Sequence, residues 1–73
     1  MQEKSTGTVL WFNDKLGYGY IQDDRGDTLF IHFKNIKEKG FKRLFRGQAV
    51  RYEILKTDMG LQAVKLKYIK ASI

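Results

Sequence analysis

The sequence predicts an all-β protein, a small antiparallel barrel of five short strands, on three observations. Seven glycines divide the 73 residues into short segments, those segments are rich in β-branched and aromatic residues, and the clearest of them alternate apolar with polar side chains as half-buried strands do. The chain has no proline and no cysteine. Glycine therefore supplies the punctuation, and packing without disulfides must supply the stability. One domain is expected over 1–73, because a chain of this size builds a single core that only just balances chain entropy.

Thr6 to Asn13 reads T-G-T-V-L-W-F-N and forms the first strand, with Asn13-Asp14-Lys15 turning the chain before Gly17. Tyr18 to Gln22 is the second strand. Asp23-Asp24-Arg25-Gly26-Asp27 is a hairpin turn into the third, Thr28 to Phe33. Lys34 to Arg46 is irregular and heavily basic, which predicts a short helical turn and a long loop anchored by Ile36, Phe41 and Leu44. Gln48 to Lys56 alternates cleanly, with Val50, Tyr52 and Ile54 on one face and Arg51, Glu53 and Leu55 on the other. Thr57 to Gly60 turns into the fifth strand, Leu61 to Tyr68. Such strands suit a partly open Greek-key barrel, and Lys65, Lys67 and Lys70 are expected to guard a solvated sheet edge. Phe45 and Tyr68 fit either exposure or loop packing.

Fourteen Lys and Arg against eight Asp and Glu give a net charge of +6, which favours a polyanionic partner, either nucleic acid or an anionic membrane surface. No run of about 18 apolar residues is present to span a bilayer, and the polar start Met1-Gln2-Glu3-Lys4-Ser5 lacks the apolar stretch of a secretory signal. A cytoplasmic location without a membrane partner is therefore expected.

One Trp, four Tyr and five Phe are more rings than so small a core can hide. In a strand, Tyr18 and Tyr20 share one face and Ile21 takes the other; Phe30 and His32 likewise oppose Leu29 and Ile31. With the aliphatic faces turned inward, the outer face displays Tyr18, Tyr20, Phe30 and His32 together. Exposed rings are costly, and a stacked base contributes about 1–3 kcal/mol with little regard to its identity. The pattern points to a platform for unpaired bases. Gly17 and Gly19 are expected to let the second strand bend and bring its backbone close to a ligand.

The chain resembles the bacterial cold-shock protein family. The resemblance runs from about Gly7 to Leu66 and rests on G-T-V-L-W-F-N at Gly7 to Asn13, L-G-Y-G-Y-I at Leu16 to Ile21, and L-F-I-H-F at Leu29 to Phe33, with G-F-K at Gly40, G-Q-A-V at Gly47 and G-x-Q-A at Gly60. It implies a five-stranded antiparallel OB-fold β-barrel. It also implies base stacking by Trp11, Tyr18, Tyr20, Phe30, His32, Phe33 and Phe41, with Asn13 and Lys15 near the same face. The implied function is binding of single-stranded RNA or DNA, melting of RNA secondary structure as a chaperone, and regulation of translation or transcription termination during stress.

Four positions depart from the family: Leu10, Leu16, Met59 and Leu61 stand where Lys, Lys, Arg and Pro are common. Fewer phosphate contacts are expected there. Conversely Lys34, Lys37, Lys39, Lys42, Arg43, Arg46 and Arg51 make the central loop and its neighbour more basic, which would move the phosphate path toward Lys42, Arg43 and Arg46. Tyr at both 18 and 20, where Phe is usual, keeps the stacking surface and adds hydroxyls. Leu10, Leu16 and Leu61 are expected to form an apolar patch. A monomer is expected, with a strand-exchanged dimer as the alternative.

His32 is the sole histidine and has no cysteine or second histidine to help it hold a metal. Asp23, Asp24 and Asp27 form an ordinary hairpin turn and lack the full calcium-loop pattern, and Gly17-x-Gly19 lacks the third glycine of a phosphate-cradling loop. No nucleophile motif or paired carboxylates emerge, so neither an enzyme nor a cofactor is expected. Two other functions compete: a protein-interaction OB domain using the leucine substitutions, and an OB domain bound to structured ribosomal RNA. The ring-rich hairpin disfavours the latter, because structured RNA is read by shape and phosphate.

Overall fold

The computed structural model describes residues 3–40 and 43–69. Five strands follow one another along the chain: β1 (Glu3–Asn13), β2 (Tyr18–Asp23), β3 (Thr28–His32), β4 (Ala49–Thr57) and β5 (Gly60–Tyr68), with a 3-10 turn at Phe33–Asn35. They close in the order β1-β2-β3-β5-β4, the all-β OB barrel, with β3 and β5 parallel and the other pairs antiparallel.

The barrel is closed rather than partly open because β1 begins three residues before the expected strand and pairs twice. Glu3–Thr8 lies along β4 and Gly7–Asn13 along β2. Closure also corrects the expected edge. β5 lies between β3 and β4, so Lys65 and Lys67 guard no open edge; Lys70 lies outside the described residues. Phe33 leaves the predicted third strand because the chain tightens there into the 3-10 turn, capped by His32 Nδ1, which accepts from Lys34 N at 3.2 Å.

Alternation supplies the core. Val9, Ile21, Leu29, Ile31, Val50, Tyr52 and Leu66 point inward, and Ile36 and Leu44 enter from the irregular segment. Ile54 packs against this cluster as the β4 alternation predicts, and so does Leu61. Leu61 is thereby withdrawn from the expected apolar patch, while Leu10 and Leu16 stay exposed.

Two register shifts bend the wall. In β1, Val9 pairs with Ile21 but Trp11 with Tyr20, so Leu10 is an extra residue. In β5, Arg51 pairs with Lys67 but Glu53 with Val64, and Lys65 takes a left-handed φ of 53°. Each extra residue changes which face the following side chains occupy and increases the local twist.

Asp23 is more than a turn residue. It is buried, with 2% exposure, at the end of β2, where its carboxylate accepts from the Ser5 hydroxyl, the Tyr52 hydroxyl at 2.6 Å, and both the backbone N and Nε of Arg25 at 3.1 Å. Burial alone would raise its pKa, but these donors outweigh burial and hold it well below the usual carboxylate range. Burial and the neighbouring Asp23 push the Tyr52 phenol above its ordinary range. Gly7 makes room for the pair: a Cβ there would lie 2.6 Å from the Tyr52 hydroxyl and 2.4 Å from the Gln22 carbonyl. One carboxylate thus ties β1, β2 and β4 together.

Asp23→Asn is expected to cost about 3 kcal/mol at pH 7, since it turns an amide donor toward groups that themselves donate. Because the folded-state pKa is depressed, the stability from Asp23 is complete above its unfolded value of about 3.9 and is lost as pH falls through the folded one. Urea midpoints of the two proteins should therefore differ most at neutral pH and converge on acidification below about pH 4. A constant gap across that range would contradict this role.

Candidate nucleic-acid interface

The outer faces of β1, β2 and β3 bring four rings into one cluster. Tyr18 and Tyr20 alternate with buried Gly19 and Ile21, and Phe30 alternates with buried Leu29 and Ile31. Cross-strand pairing then sets Tyr20 opposite Phe30 and Tyr18 opposite His32. Ring centroids of Tyr18 and Phe30 are 5.7 Å apart, those of Tyr20 and Phe30 5.9 Å.

Simple alternation would set Trp11 in phase with the core residue Val9. The extra residue at Leu10 reverses the phase, so Trp11 emerges 44% exposed. Its indole lies 6.3 Å from Tyr20, nearly parallel at 26°, and 5.7 Å edge-on from Tyr18. Trp11, Tyr18, Tyr20 and Phe30 thus form a continuous surface, held partly by their own ring contacts. Tyr20 is 42% exposed, and Tyr18 and Phe30 are half-buried.

His32 and Phe33 form a second pair at 4.7 Å, beyond Tyr18 on the same hairpin. With His32 Nδ1 accepting from Lys34 N, a neutral His32 carries its proton on Nε2. Phe33 packs over Gly17, where an added Cβ would meet its ring at 2.7 Å, and donates its backbone N–H to the Gly17 carbonyl at 2.8 Å. A Cβ on Gly19 would sit 2.0 Å from the Trp11 carbonyl oxygen and 2.6 Å from the Phe12 Cα. The missing side chains therefore admit neighbouring parts of the protein, in place of the expected ligand.

The expected polar residues are placed less uniformly. Asn13 Oδ1 accepts from Leu16 N at 2.9 Å and closes the β1–β2 turn, on which Lys15 is exposed. Arg43 donates Nε to Asp14 at 2.8 Å and lies 5.6 Å over the Phe45 ring. Its backbone carbonyl accepts from the Tyr68 hydroxyl at 2.9 Å. These contacts fasten the central segment beside the β1–β2 turn, at the rim of the ring cluster. Arg46 is exposed in the turn before Gly47, whose N–H reaches the Val9 carbonyl at 2.7 Å. Phe41 and Lys42 lie outside the described residues. Tyr68 thus takes the loop-packing alternative, whereas the anchoring role of Asp14 left no trace in local sequence, since it acts across more than two dozen residues.

No group of three or more His, Cys, Asp or Glu among the described residues could hold a metal ion, and no described helix is long and apolar enough to cross a membrane. The arrangement offers flat π-faces, hydroxyls and cations.

The family model for the 'Cold-shock' DNA-binding domain matches residues 5–69. The chain is 45% identical over 69 residues to cold shock protein CapB of Pseudomonas syringae, covering 94% of this chain and all of that protein. It is 41% identical over 69 residues to the major cold shock protein CspA of Pseudomonas aeruginosa, with the same coverage. It is 48% identical over 61 residues to the cold shock-like protein CspLB of Listeria monocytogenes, covering 84% and 92% of the two chains. Among solved structures, Drosophila Unr CSD456 superposes with a TM-score of 0.76 at 20% identity over 94% of this chain and 28% of the other.

Gly19→Ala is expected to destabilise the barrel by about 3 kcal/mol, at the upper end of ordinary overpacking, because the clash is with backbone. It should also weaken the near-ultraviolet circular dichroism of Trp11. Wild-type thermal stability in this variant would refute the close approach of β2 to β1.

Proposed function

The chain belongs to the cold-shock domain family of nucleic-acid-binding domains, and on that premise we propose that it is a non-enzymatic cytoplasmic RNA chaperone that stacks unpaired bases on Trp11, Tyr18, Tyr20 and Phe30. The observation that carries this proposal is the half-exposed ring cluster, outside a wall whose inner face is aliphatic. His32 and Phe33 extend the platform by another base. Phe41 is assigned the same role from the family resemblance alone.

Stacking needs only the π-faces that every base presents, so weak sequence preference follows. Lys15, Lys42, Arg43 and Arg46 supply phosphate contacts at the rim, while Asn13 shapes the turn that carries Lys15. No nucleotide hydrolysis is needed. Binding the open strand draws the pairing equilibrium of an RNA toward the unpaired state by mass action, and through that the protein affects translation or transcription termination.

Titration of Trp11 fluorescence with short single strands tests the platform. Quenching by single strands and not by duplex is expected. Phe30→Ala or Tyr20→Ala should weaken binding by about 1–3 kcal/mol, tenfold for each 1.4 kcal/mol, whereas Tyr20→Phe should bind nearly as wild type. Full affinity in the alanine variants would defeat the proposal.

The rim is tested by salt. Arg43→Ala with Arg46→Ala should reduce the slope of log affinity against log salt by about 0.7 for each lost phosphate contact. An unchanged slope would remove both arginines from the phosphate path.

A further inference from the structure

Away from the rings, the first half of β1 joins β4 and β5 in lining an open groove of about 1070 Å³. Its cations are Lys4, Arg25, Lys37, Arg51, Lys65 and Lys67, and Glu53 is the one acid on its lining among the described residues. None of the platform rings contributes. Arg51 and Lys67 also line an adjoining hollow of about 440 Å³, where Glu38 is held by the Tyr68 N–H at 2.7 Å, so the six cations of the groove itself form a surface larger than a single small anion requires.

Lys4 stands opposite Glu53 in the β1–β4 ladder, a favourable pairing, but one other pair on the groove is unfavourable for folding. Arg51 and Lys67 are direct cross-strand partners, and like charges placed opposite each other destabilise a sheet. Lys65 reaches Glu53 only at 3.8 Å. Asp23 is near but buried, and its oxygens are engaged by Ser5, Tyr52 and Arg25. Protection of a free edge does not explain the lysines, because β5 has a strand on each side. The like-charged pair and the excess of cations over Glu53 on this lining break a local rule of sheet design, and such a violation is what a binding surface produces.

We infer that this groove is a second nucleic-acid contact, gripping the sugar-phosphate backbone of a strand whose neighbouring stretch lies on the ring platform. The inference rests on the nucleic-acid function proposed above. A backbone fits better than a membrane surface, because the groove is concave and none of the large exposed apolar side chains lines it, Ile69 lying on the adjoining hollow alone. Membrane-surface binding depends on such side chains entering the interface. Both ends of β1 then serve one ligand: Trp11 takes a base and Lys4 takes phosphate.

The test compares the wild-type chain with Lys4→Gln/Lys65→Gln/Lys67→Gln. It uses a single-stranded hexanucleotide, near the lower end of the about 4–16 nucleotides an OB fold occupies, and an end-labelled strand of about 30 nucleotides. Trp11 quenching by the hexanucleotide should keep its affinity and salt slope, which also controls for the change in net charge. On the long strand, followed by anisotropy, the triple variant should lose about 2 from the salt slope, near 0.7 for each of three contacts. The Lys4→Gln/Lys67→Gln pair, losing about 1.4, replaces the triple variant if that one fails to fold. An unchanged long-strand slope, with hexanucleotide quenching intact, overturns the groove and leaves the platform standing. A reduced slope without any wild-type quenching overturns the platform alone. Co-sedimentation with phosphatidylserine–phosphatidylcholine vesicles that is lost in the variant, beside an unchanged slope, would reassign the surface to lipid.

Discussion

A single strand with two neighbours constrains the whole molecule. β1 must lie along β4 with its first half and along β2 with its second, and a strand of uniform alternation would keep one face inward throughout. The extra residue at Leu10 breaks that continuity. Before it, Gly7 and Val9 face the core; after it, Phe12 turns in and Trp11 turns out. The close contact of Gly19 with the Trp11 carbonyl belongs to the same bend. The indole thus arrives beside Tyr20 through backbone geometry, with no need of a stronger aromatic preference for the outside.

The parts of the fold that repeat with a period of two were legible from residues alone. Tyr18, Tyr20 and Phe30 fall on the outer face, and Val50, Tyr52 and Ile54 on the inner, because no irregularity interrupts β2, β3 or most of β4. Trp11 was legible only through family likeness, since an extra residue inside a strand leaves periodicity silent about everything beyond it. Asp23 misled for another reason. Three acids around a glycine describe a turn correctly, but the burial of the first depends on hydroxyls from Ser5 and Tyr52, far away along the chain. Lys65 and Lys67 looked like edge protection because strand order, which leaves β5 without an edge, is a tertiary property. The central segment offered anchors at Ile36 and Leu44 and no hint of the Arg43–Asp14 contact.

The buried carboxylate and the exposed rings express one economy. A barrel of this size has few residues to spare for its core, and several of its largest side chains are placed outside it. Packing is correspondingly supplemented by polar bonds, with Asp23 drawing hydroxyls from two other strands to the end of β2. Such a cluster holds shape more strictly than apolar contact does, because each donor has a required direction. The β1–β2 part of the wall behind the rings is then held in shape while its outer surface remains available.

The joint between β3 and β5 is of a different kind. Here the strands run parallel and share one bridge within the two strands, Phe30 with Gln62, helped by Ile36 with Leu66 just beyond β3. Elsewhere the ladders are long and antiparallel. This seam is closed chiefly by grease, with Leu29, Ile31 and Leu66 sealed behind it, and little main-chain stitching crosses it. Phe30 stands directly on the seam, so a base stacked there as proposed would press on the least stitched line of the cylinder. The face proposed to carry the ligand therefore includes the least stitched line of the barrel.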